Sequence, residues 1–150
     1  MASVSVQLDD FDTATEIAAL RGDRTDVGAI VTFTGTVRDI DGSLKSMTLE
    51  HYPGMTEREL ETIAAEAENR WPLLGCRIIH RYGELKPADN IVLVVTLSAH
   101  RQAAFEAADF LMDFLKSRAP FWKKEDTGHD AKWVDAKETD ETALKRWQSP

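Results

Sequence analysis

The chain has 150 residues and a mass of 16.8 kDa, a length that predicts one domain spanning residues 1–150. Hydrophobic residues make up 43% of it, which excludes a disordered chain, and the net charge of −8 argues against general nucleic-acid binding and against anionic membranes. The single cysteine, Cys76, excludes an internal disulfide, a thiolate zinc cage and a Cys-x-x-Cys redox pair. No basic region precedes an apolar stretch at the N-terminus, so we expect a soluble, cytoplasmic protein.

The first part of the chain is predicted to form a strand and a short helix. Alternating apolar residues over 4–8 predict a half-buried strand. Asp12 or Thr13 provides an N-cap for a helix over 14–20, and Gly22 provides its end.

Two segments rich in β-branched and alternating residues follow, and we expect them to pair. Residues 28–38 predict one strand and residues 47–52 a returning strand, which together indicate a hairpin with a long loop. Thr56 and Glu59 have the spacing of a capping box, which predicts a helix that begins there and stops at Pro72.

The second half is predicted to hold the central strand and the longest helix. Residues 76–82 alternate as a strand, and residues 91–97 are apolar enough for a strand buried on both faces. Ser98 can cap a helix over about 100–118, which Pro120 ends.

Short elements complete the C-terminal part. Residues 121–124 and 132–134 predict short strands, and residues 139–147 predict a terminal helix. The pattern as a whole predicts an α+β fold, in which a mixed, mostly antiparallel sheet packs with two main helices.

Motifs for metal, phosphate-loop and serine chemistry are missing from the sequence. The four histidines stand far apart, Gly35 is isolated, and no Gly-x-Ser-x-Gly elbow occurs. His80 and Cys76 fall in an alternating strand, so we interpret them as packed core side chains. We therefore expect no metal ion and no cofactor.

The basic residues are the remaining candidates for chemistry. Residues 100–124 carry a net charge of +2, whereas the rest of the chain carries −10. Lys123 and Lys124 beside aromatic residues can bind phosphate or move protons, but the local sequence alone favours one exposed face of an edge strand, where lysines are common. Arg101 can help bind an anion at a helix N-terminus or be an ordinary surface residue, and Arg38 is a similar case.

Five stretches, taken in order, carry a resemblance to a known family. They are GAIVTFTGTVR (28–38), LEHYPGM (49–55), HRYGEL (80–85), SAHR with AFEA (98–107), and LK through PFWKKE (115–125). Over essentially its whole length the chain resembles the MoaE family, the large, catalytic subunits of molybdopterin synthases.

The resemblance implies an α/β hammerhead-like fold and a sulfurtransferase. Such an enzyme converts cyclic pyranopterin monophosphate to molybdopterin and takes two sulfurs in turn from a small ubiquitin-like (MoaD-type) carrier. Each sulfur arrives on the carrier's C-terminal Gly-Gly thiocarboxylate. Two large subunits form a dimer with one small subunit at each end. Cys76 needs no role in this scheme.

The resemblance also implies which residues act. Lys116 is our first candidate for proton transfer and Lys123 the second; either ammonium could also stabilise the oxyanion formed when the thiocarboxylate is hydrolysed. Thr36 departs from the family because some members have Lys there, which puts a phosphate contact from this side chain in question. The implied substrate-binding residues are Thr36, Val37, Arg38, His100, Arg101, Lys116, Lys123, Lys124 and Glu125.

The length of the long helix bears on assembly. Arg101 and Lys116 are fifteen residues apart, which is about 22 Å along a continuous helix and too far for both to touch one pterin. We therefore expect a homodimer in which His100 and Arg101 of one subunit complete a pocket that holds Lys116 and Lys123 of the other.

Two other functions compete with this one. A non-catalytic module could use the same pocket to bind a ubiquitin-like tail or a phosphorylated ligand, but such a surface needs no pair of lysines. A nucleotide-binding regulator has little support, because no phosphate loop is present.

Overall fold

The computed structural model describes residues 2–128, 131–134 and 143–148, and its helices are interspersed among strands along the chain. In chain order they are β1 (Ser3–Gln7), α1 (Thr13–Arg21), β2 (Ala29–Thr36), β3 (Ser46–His51), α2 (Met55–Arg70), β4 (Leu73–Arg81), β5 (Gly83–Leu85), β6 (Asn90–Ser98), α3 (Arg101–Ser117), β7 (Phe121–Asp126) and β8 (Ala131–Val134).

The strands form two four-stranded sheets. The first sheet has the order β1-β4-β6-β2, and the second sheet has the order β5-β3-β7-β8. β1 and β4 run parallel, and every other pair of neighbours is antiparallel. The predicted α+β class with mostly antiparallel strands is confirmed, although the strands are divided between two sheets.

The predicted hairpin between residues 28–38 and 47–52 is wrong, because its two strands lie in different sheets. β2 pairs with β6, whereas β3 pairs with β5 and β7. The chain leaves the first sheet at Val37, whose N–H donates to Asp89 O and whose carbonyl accepts from Ala88 N–H. This crossing segment is held by the turn before β6, so the chain is carried away from β2 instead of turning back along it.

The core covers both faces of the first sheet. On one face, α2 and α3 pack on β4 and β6 through residues such as Leu60 and Leu111. On the other face, α1 packs over Leu93, Val95 and Leu97. The prediction of a central strand buried on both faces is therefore confirmed for β6.

Two predicted helix caps are wrong, although both helices begin close to their predicted starts, and in each case the hydroxyl bonds elsewhere. α2 begins at Met55, and the Glu57 carboxylate accepts the Gly54 N–H at 3.2 Å. Thr56 Oγ1 instead accepts the Tyr52 N–H. α3 begins at Arg101 with no side-chain cap, because Ser98 Oγ donates to Pro72 O.

The ends of the chain agree with the sequence where the structure describes them. Asp12 caps α1 by accepting the Thr15 N–H at 3.0 Å, and Gly22 ends that helix with a φ of +58°. Within the predicted helix over 139–147, residues 139–142 lie outside the described residues and residues 143–145 are helical. Trp147 packs edge-on against Trp71 in the main core.

Candidate active site

The C-terminal end of α3 and the strand that follows it bring the two candidate lysines to one region. Leu115 is buried under α3, which leaves Lys116 exposed on the last turn. The helix ends at Ser117 and the chain re-enters a sheet at Phe121 as β7. Thr56 Oγ1 donates to the Pro120 carbonyl at 3.1 Å, which ties this short connection to the start of α2.

Alternation along β7 separates Lys123 from Lys124. Lys123 pairs in register with Leu49, which is buried, and is itself half-buried. Glu125 shares this face, and its carboxylate lies 4.0 Å from Lys123 Nζ. Lys124 points to the opposite, exposed face together with Trp122. The predicted substrate-binding set on this strand is thus divided between two faces.

An aromatic cluster joins the two sheets beside these lysines. The Phe121 ring stacks on His80 with centroids 3.7 Å apart, and the His51 ring lies 6.4 Å from Phe121 and 4.2 Å from Tyr82. His80 belongs to the first sheet, whereas His51 and Phe121 belong to the second. Lys123 follows Phe121 by two residues and projects from the same face of β7.

His80 is a neutral core histidine, as predicted. It is 7% exposed, and its Nδ1 lies 2.9 Å from the Arg81 carbonyl oxygen. The His80 pKa is lowered to about 4, chiefly by burial and to a smaller extent by the charges of Lys116 and His51, while the hydrogen bond with the Arg81 carbonyl acts in the opposite direction. A carbonyl only accepts, so Nδ1 carries the proton and Nε2 is left as an acceptor. The charge of Lys116 therefore acts on this cluster.

Residues 36–38 reach the second sheet from the end of β2. The register of β2 shifts between Gly35 and Thr36, and the next residue, Val37, is buried against Met47 and Leu49. Thr36 and Arg38 on either side of it are exposed. Val37 therefore anchors the segment, while its two neighbours are available to a ligand next to β3 and β7.

His100 and Arg101 lie at the other end of the first sheet. Both are exposed at the N-terminus of α3, and a Cβ at Gly28 would collide with the carbonyl of Ala99 beside them. α3 is continuous, so about 22 Å separate Arg101 from Lys116. Within one chain, the structure therefore groups Lys116, Lys123 and residues 36–38 at one end and leaves His100 and Arg101 at the other.

The Cys76 thiol is not part of the surface that carries the candidate lysines. Cys76 is fully buried in β4, and burial raises its pKa to about 12, so it stays protonated at neutral pH. The prediction of a buried, inert cysteine is confirmed.

Sequence reasoning assigned no role to His51, Tyr82 or Phe121, because alternation shows which face a residue takes but not which strand from the other sheet it meets.

Within residues 2–128, 131–134 and 143–148, no group of three or more His, Cys, Asp or Glu side chains could hold a metal ion. Over the same residues, no helix is long and apolar enough to cross a bilayer.

Comparison with known proteins points to one family. The family model described as MoaE protein matches residues 6–118. A protein of Mesorhizobium japonicum named molybdopterin synthase catalytic subunit is 62% identical over 149 residues, which cover 98% of this chain and 94% of that protein.

Solved structures agree. A structure described as the molybdopterin biosynthesis MoaE protein from Burkholderia ambifaria is 52% identical, covers 100% of both chains and superposes with a TM-score of 0.86. A complex of subunits 1 and 2 of the molybdopterin-converting factor from Helicobacter pylori shares the fold at 21% identity, with a TM-score of 0.73 over 90% of each chain.

Proposed function

We propose a mechanism for this chain, which belongs to the MoaE family. Its function is that of the catalytic subunit of molybdopterin synthase, a sulfur-transferring enzyme of molybdenum cofactor biosynthesis. The site that performs this chemistry is the region between the end of α3 and β7. One observation supports this choice above all: the charge of Lys116 acts on His80, whose ring stacks on Phe121, and Lys123 lies two residues after Phe121 on the same face of β7.

Lys116 is the proposed proton-transfer group, with Lys123 in support. The substrate is cyclic pyranopterin monophosphate, and opening its cyclic phosphate and forming the carbon–sulfur bond both require proton transfers. Water then cleaves the bond between sulfur and the carrier's terminal carbonyl, which releases the carrier as a carboxylate. An ammonium group stabilises the oxyanion of that step. The Glu125 carboxylate, 4.0 Å from Lys123 Nζ, helps to position the Lys123 amine.

The phosphate of the substrate is bound by cations from two chains. Arg38 approaches from the end of β2, with the Thr36 hydroxyl as a neutral donor. Lys124, on the exposed face of β7, adds a cation at the outer side of the same region. His100 and Arg101 come from a second copy, because the continuous α3 keeps them about 22 Å from Lys116 in their own chain.

The sulfur donor is a separate small subunit. The buried Cys76 cannot supply the sulfur, which supports delivery from outside the chain. The related Helicobacter pylori structure is a complex of two subunits, and we extend this arrangement to the present chain. A ubiquitin-like carrier places its Gly-Gly thiocarboxylate tail next to Lys116 and Lys123, and two charged carriers act in turn. We place this reaction in the cytoplasm.

Replacement of Lys116 by alanine tests the assignment. We expect K116A to lower dithiolene formation from thiocarboxylated carrier and cyclic pterin by about 10²- to 10⁴-fold, the range for loss of a general acid–base group. R21A is the matched control, because Arg21 is an exposed cation at the end of α1, on the opposite face of the first sheet. Size-exclusion chromatography with light scattering should show the same oligomer for both variants.

Two results would contradict the proposal. Full activity in K116A would remove Lys116 from the chemistry. A wild-type chain that binds the carrier but forms no dithiolene would be a docking module and not an enzyme.

A further inference from the structure

A fully buried hydroxyl lies beside the short connection between the two candidate lysines. Thr56 is 0% exposed, and its Oγ1 donates to the Pro120 carbonyl at 3.1 Å and accepts the Tyr52 N–H at 3.0 Å. The Thr56 N–H also donates to the Tyr52 carbonyl at 2.9 Å. A threonine hydroxyl has one proton to donate, and Thr56 donates it to a segment 64 residues away along the chain. One side chain therefore joins the end of β3, the start of α2 and the connection from α3 to β7.

That connection is short and internally bonded. The Ala119 N–H donates to the Phe114 carbonyl of α3, and the Phe121 N–H donates to the Ala119 carbonyl at 2.8 Å. Pro120 between them has a fixed φ and no N–H. The connection therefore keeps its own shape, but these local bonds do not set where it lies against the sheets. The Thr56 hydroxyl bonds to it from a different element and so fixes its place.

The same hydroxyl lies where β7 begins to pair with β3. Phe121, the first residue of β7, lies opposite His51, the last residue of β3. Pro120 and Tyr52, the next residues outward from this pair, are both bonded to Thr56. The paired strands are thus closed at this end by one side chain, which sets their register.

The register decides which face of β7 carries Lys123. Lys123 lies opposite the buried Leu49 and shares its half-buried face with Glu125. A shift of one residue would move every side chain of the strand to the other face of the sheet. A smaller displacement of the connection would change the distance between the amines of Lys123 and Lys116, because the connection lies between them in the chain.

We propose that Thr56 is a positioning residue, whose hydroxyl fixes the start of β7 on β3 and thereby holds Lys123 at a set place relative to Lys116. The inference rests on the proposed function, in which these two lysines act together. Thr56 is fully buried and acts on the lysines through the backbone. Its effect therefore falls on the rate of the reaction and much less on phosphate binding by Arg38.

Four substitutions separate the hydroxyl from the volume of the side chain. T56V keeps the shape and leaves the Tyr52 N–H and the Pro120 carbonyl without this partner, whereas T56S keeps both bonds. T56C carries a thiol, which is a weaker donor and acceptor, and it decides the question should T56V fail to fold. S117A is the matched control, because Ser117 Oγ is also buried but has no hydrogen-bond partner within the residues that the structure describes.

Hydrogen exchange measured by mass spectrometry tests the position of β7 without any assay of activity. In T56V we expect faster amide exchange in peptides that cover residues 46–52 and 118–126, with β6 unchanged. T56S and S117A should exchange like the wild type, and T56C should lie between T56S and T56V. A role in general stability alone would raise exchange in the well-buried β6 as strongly as in β7.

Single-turnover formation of the dithiolene measures the effect on the reaction. A displacement of about 1 Å at a reacting group costs about 100-fold in rate, so we expect T56V to be slower by roughly 10- to 100-fold at saturating carrier and pterin. The half-saturating pterin concentration should change far less. Rates should decrease in the order Thr, Ser, Cys, Val at this position. S117A should react at the wild-type rate, as should V95A, which loses buried volume on the α1 face of the first sheet.

The two measurements distinguish failure of this inference from failure of the proposed function. Wild-type exchange in β7 of folded T56V, or a wild-type rate, would overturn the positioning role. The same holds if T56S is as slow as T56V, or if V95A is slowed equally. If T56V loosens β7 while K116A keeps full activity, Thr56 still positions β7 and the lysine chemistry is wrong.

Discussion

The two sheets of this molecule differ in how deeply their side chains are buried. In the first sheet, β6 is buried from Val92 to Ser98 because helices cover both of its faces. In the second sheet, β7 alternates between half-buried and exposed residues, and Trp122 on its outer face is 47% exposed. The first sheet is the scaffold, and the second sheet displays polar groups on a surface that stays accessible. Chemistry needs both, because a lysine must be held in place and also be reached by its substrate.

Two contacts hold β7 and the connection that leads to it against the rest of the molecule. The His80–Phe121 stack joins β4 to β7, and the Thr56–Pro120 hydrogen bond fixes the connection from α3 to β7. Lys116 and Lys123 lie on either side of this connection. These two contacts therefore help to set the position of one lysine relative to the other, and each can be changed separately.

The largest expected difference between the sheets is in stability. L93A removes a fully buried side chain from β6, and we expect it to cost about 4 kcal/mol, because neighbouring strands and α1 hinder collapse of the cavity. L85A removes a leucine that is 1% exposed from the three-residue strand β5, in a smaller cluster that can relax, at a cost of about 2 kcal/mol. Urea unfolding measures both. Equal losses would show that the second sheet is as rigid as the first.

Acid should loosen the contact between the sheets. The folded-state pKa of His80 is about 4, below its ordinary value of 6.5, so the unfolded chain binds this proton more readily. Stability from His80 is complete above pH 6.5 and falls as the pH drops toward 4, by about 3 kcal/mol. We expect H80N to flatten this part of the curve of unfolding free energy against pH. A curve as steep in H80N as in the wild type would assign the acid sensitivity to other groups.

The smallest effect concerns thiol reactivity. Cys76 in the first sheet is 0% exposed with a pKa of about 12, so a disulfide reagent at pH 8 should leave it unmodified until the chain is unfolded. A cysteine introduced on the exposed face of the second sheet, E50C, should react within the mixing time. Rapid modification of Cys76 in the folded wild type would show that the first sheet opens readily.

The elements of the scaffold and their buried faces could largely be predicted from the sequence, whereas the contacts between elements could not. The apolar run of β6 and the periodicity of α3 each specify an element and its buried faces, because burial on both sides or on one side leaves a direct pattern. The hairpin prediction failed because a strand pattern carries no information about the partner strand. Thr56 and Ser98 were misplaced as caps because a hydroxyl bonds to whichever backbone group lies nearest, including Pro120 O and Pro72 O from distant segments.

The candidate site, like the scaffold, could be predicted from the sequence only in part. The family resemblance provides the residue types and positions, and the helix length indicates that His100 and Arg101 cannot join Lys116 within one chain. What the sequence could not provide is the stack of His80 on Phe121, which depends on how the two sheets meet. The difference between Lys123 and Lys124 follows from strand alternation once β7 is placed beside the buried Leu49.

The continuity of α3 has a consequence for how this chain can tolerate insertions and deletions. A single residue added between Arg101 and Lys116 would rotate one end of the helix against the other by about 100° and lengthen it by about 1.5 Å. No local side-chain change can undo such a rotation, and only an addition close to a whole number of turns, such as about seven residues, restores the facing of both ends. The function of this chain therefore depends on the number of residues in the helix as well as on their types.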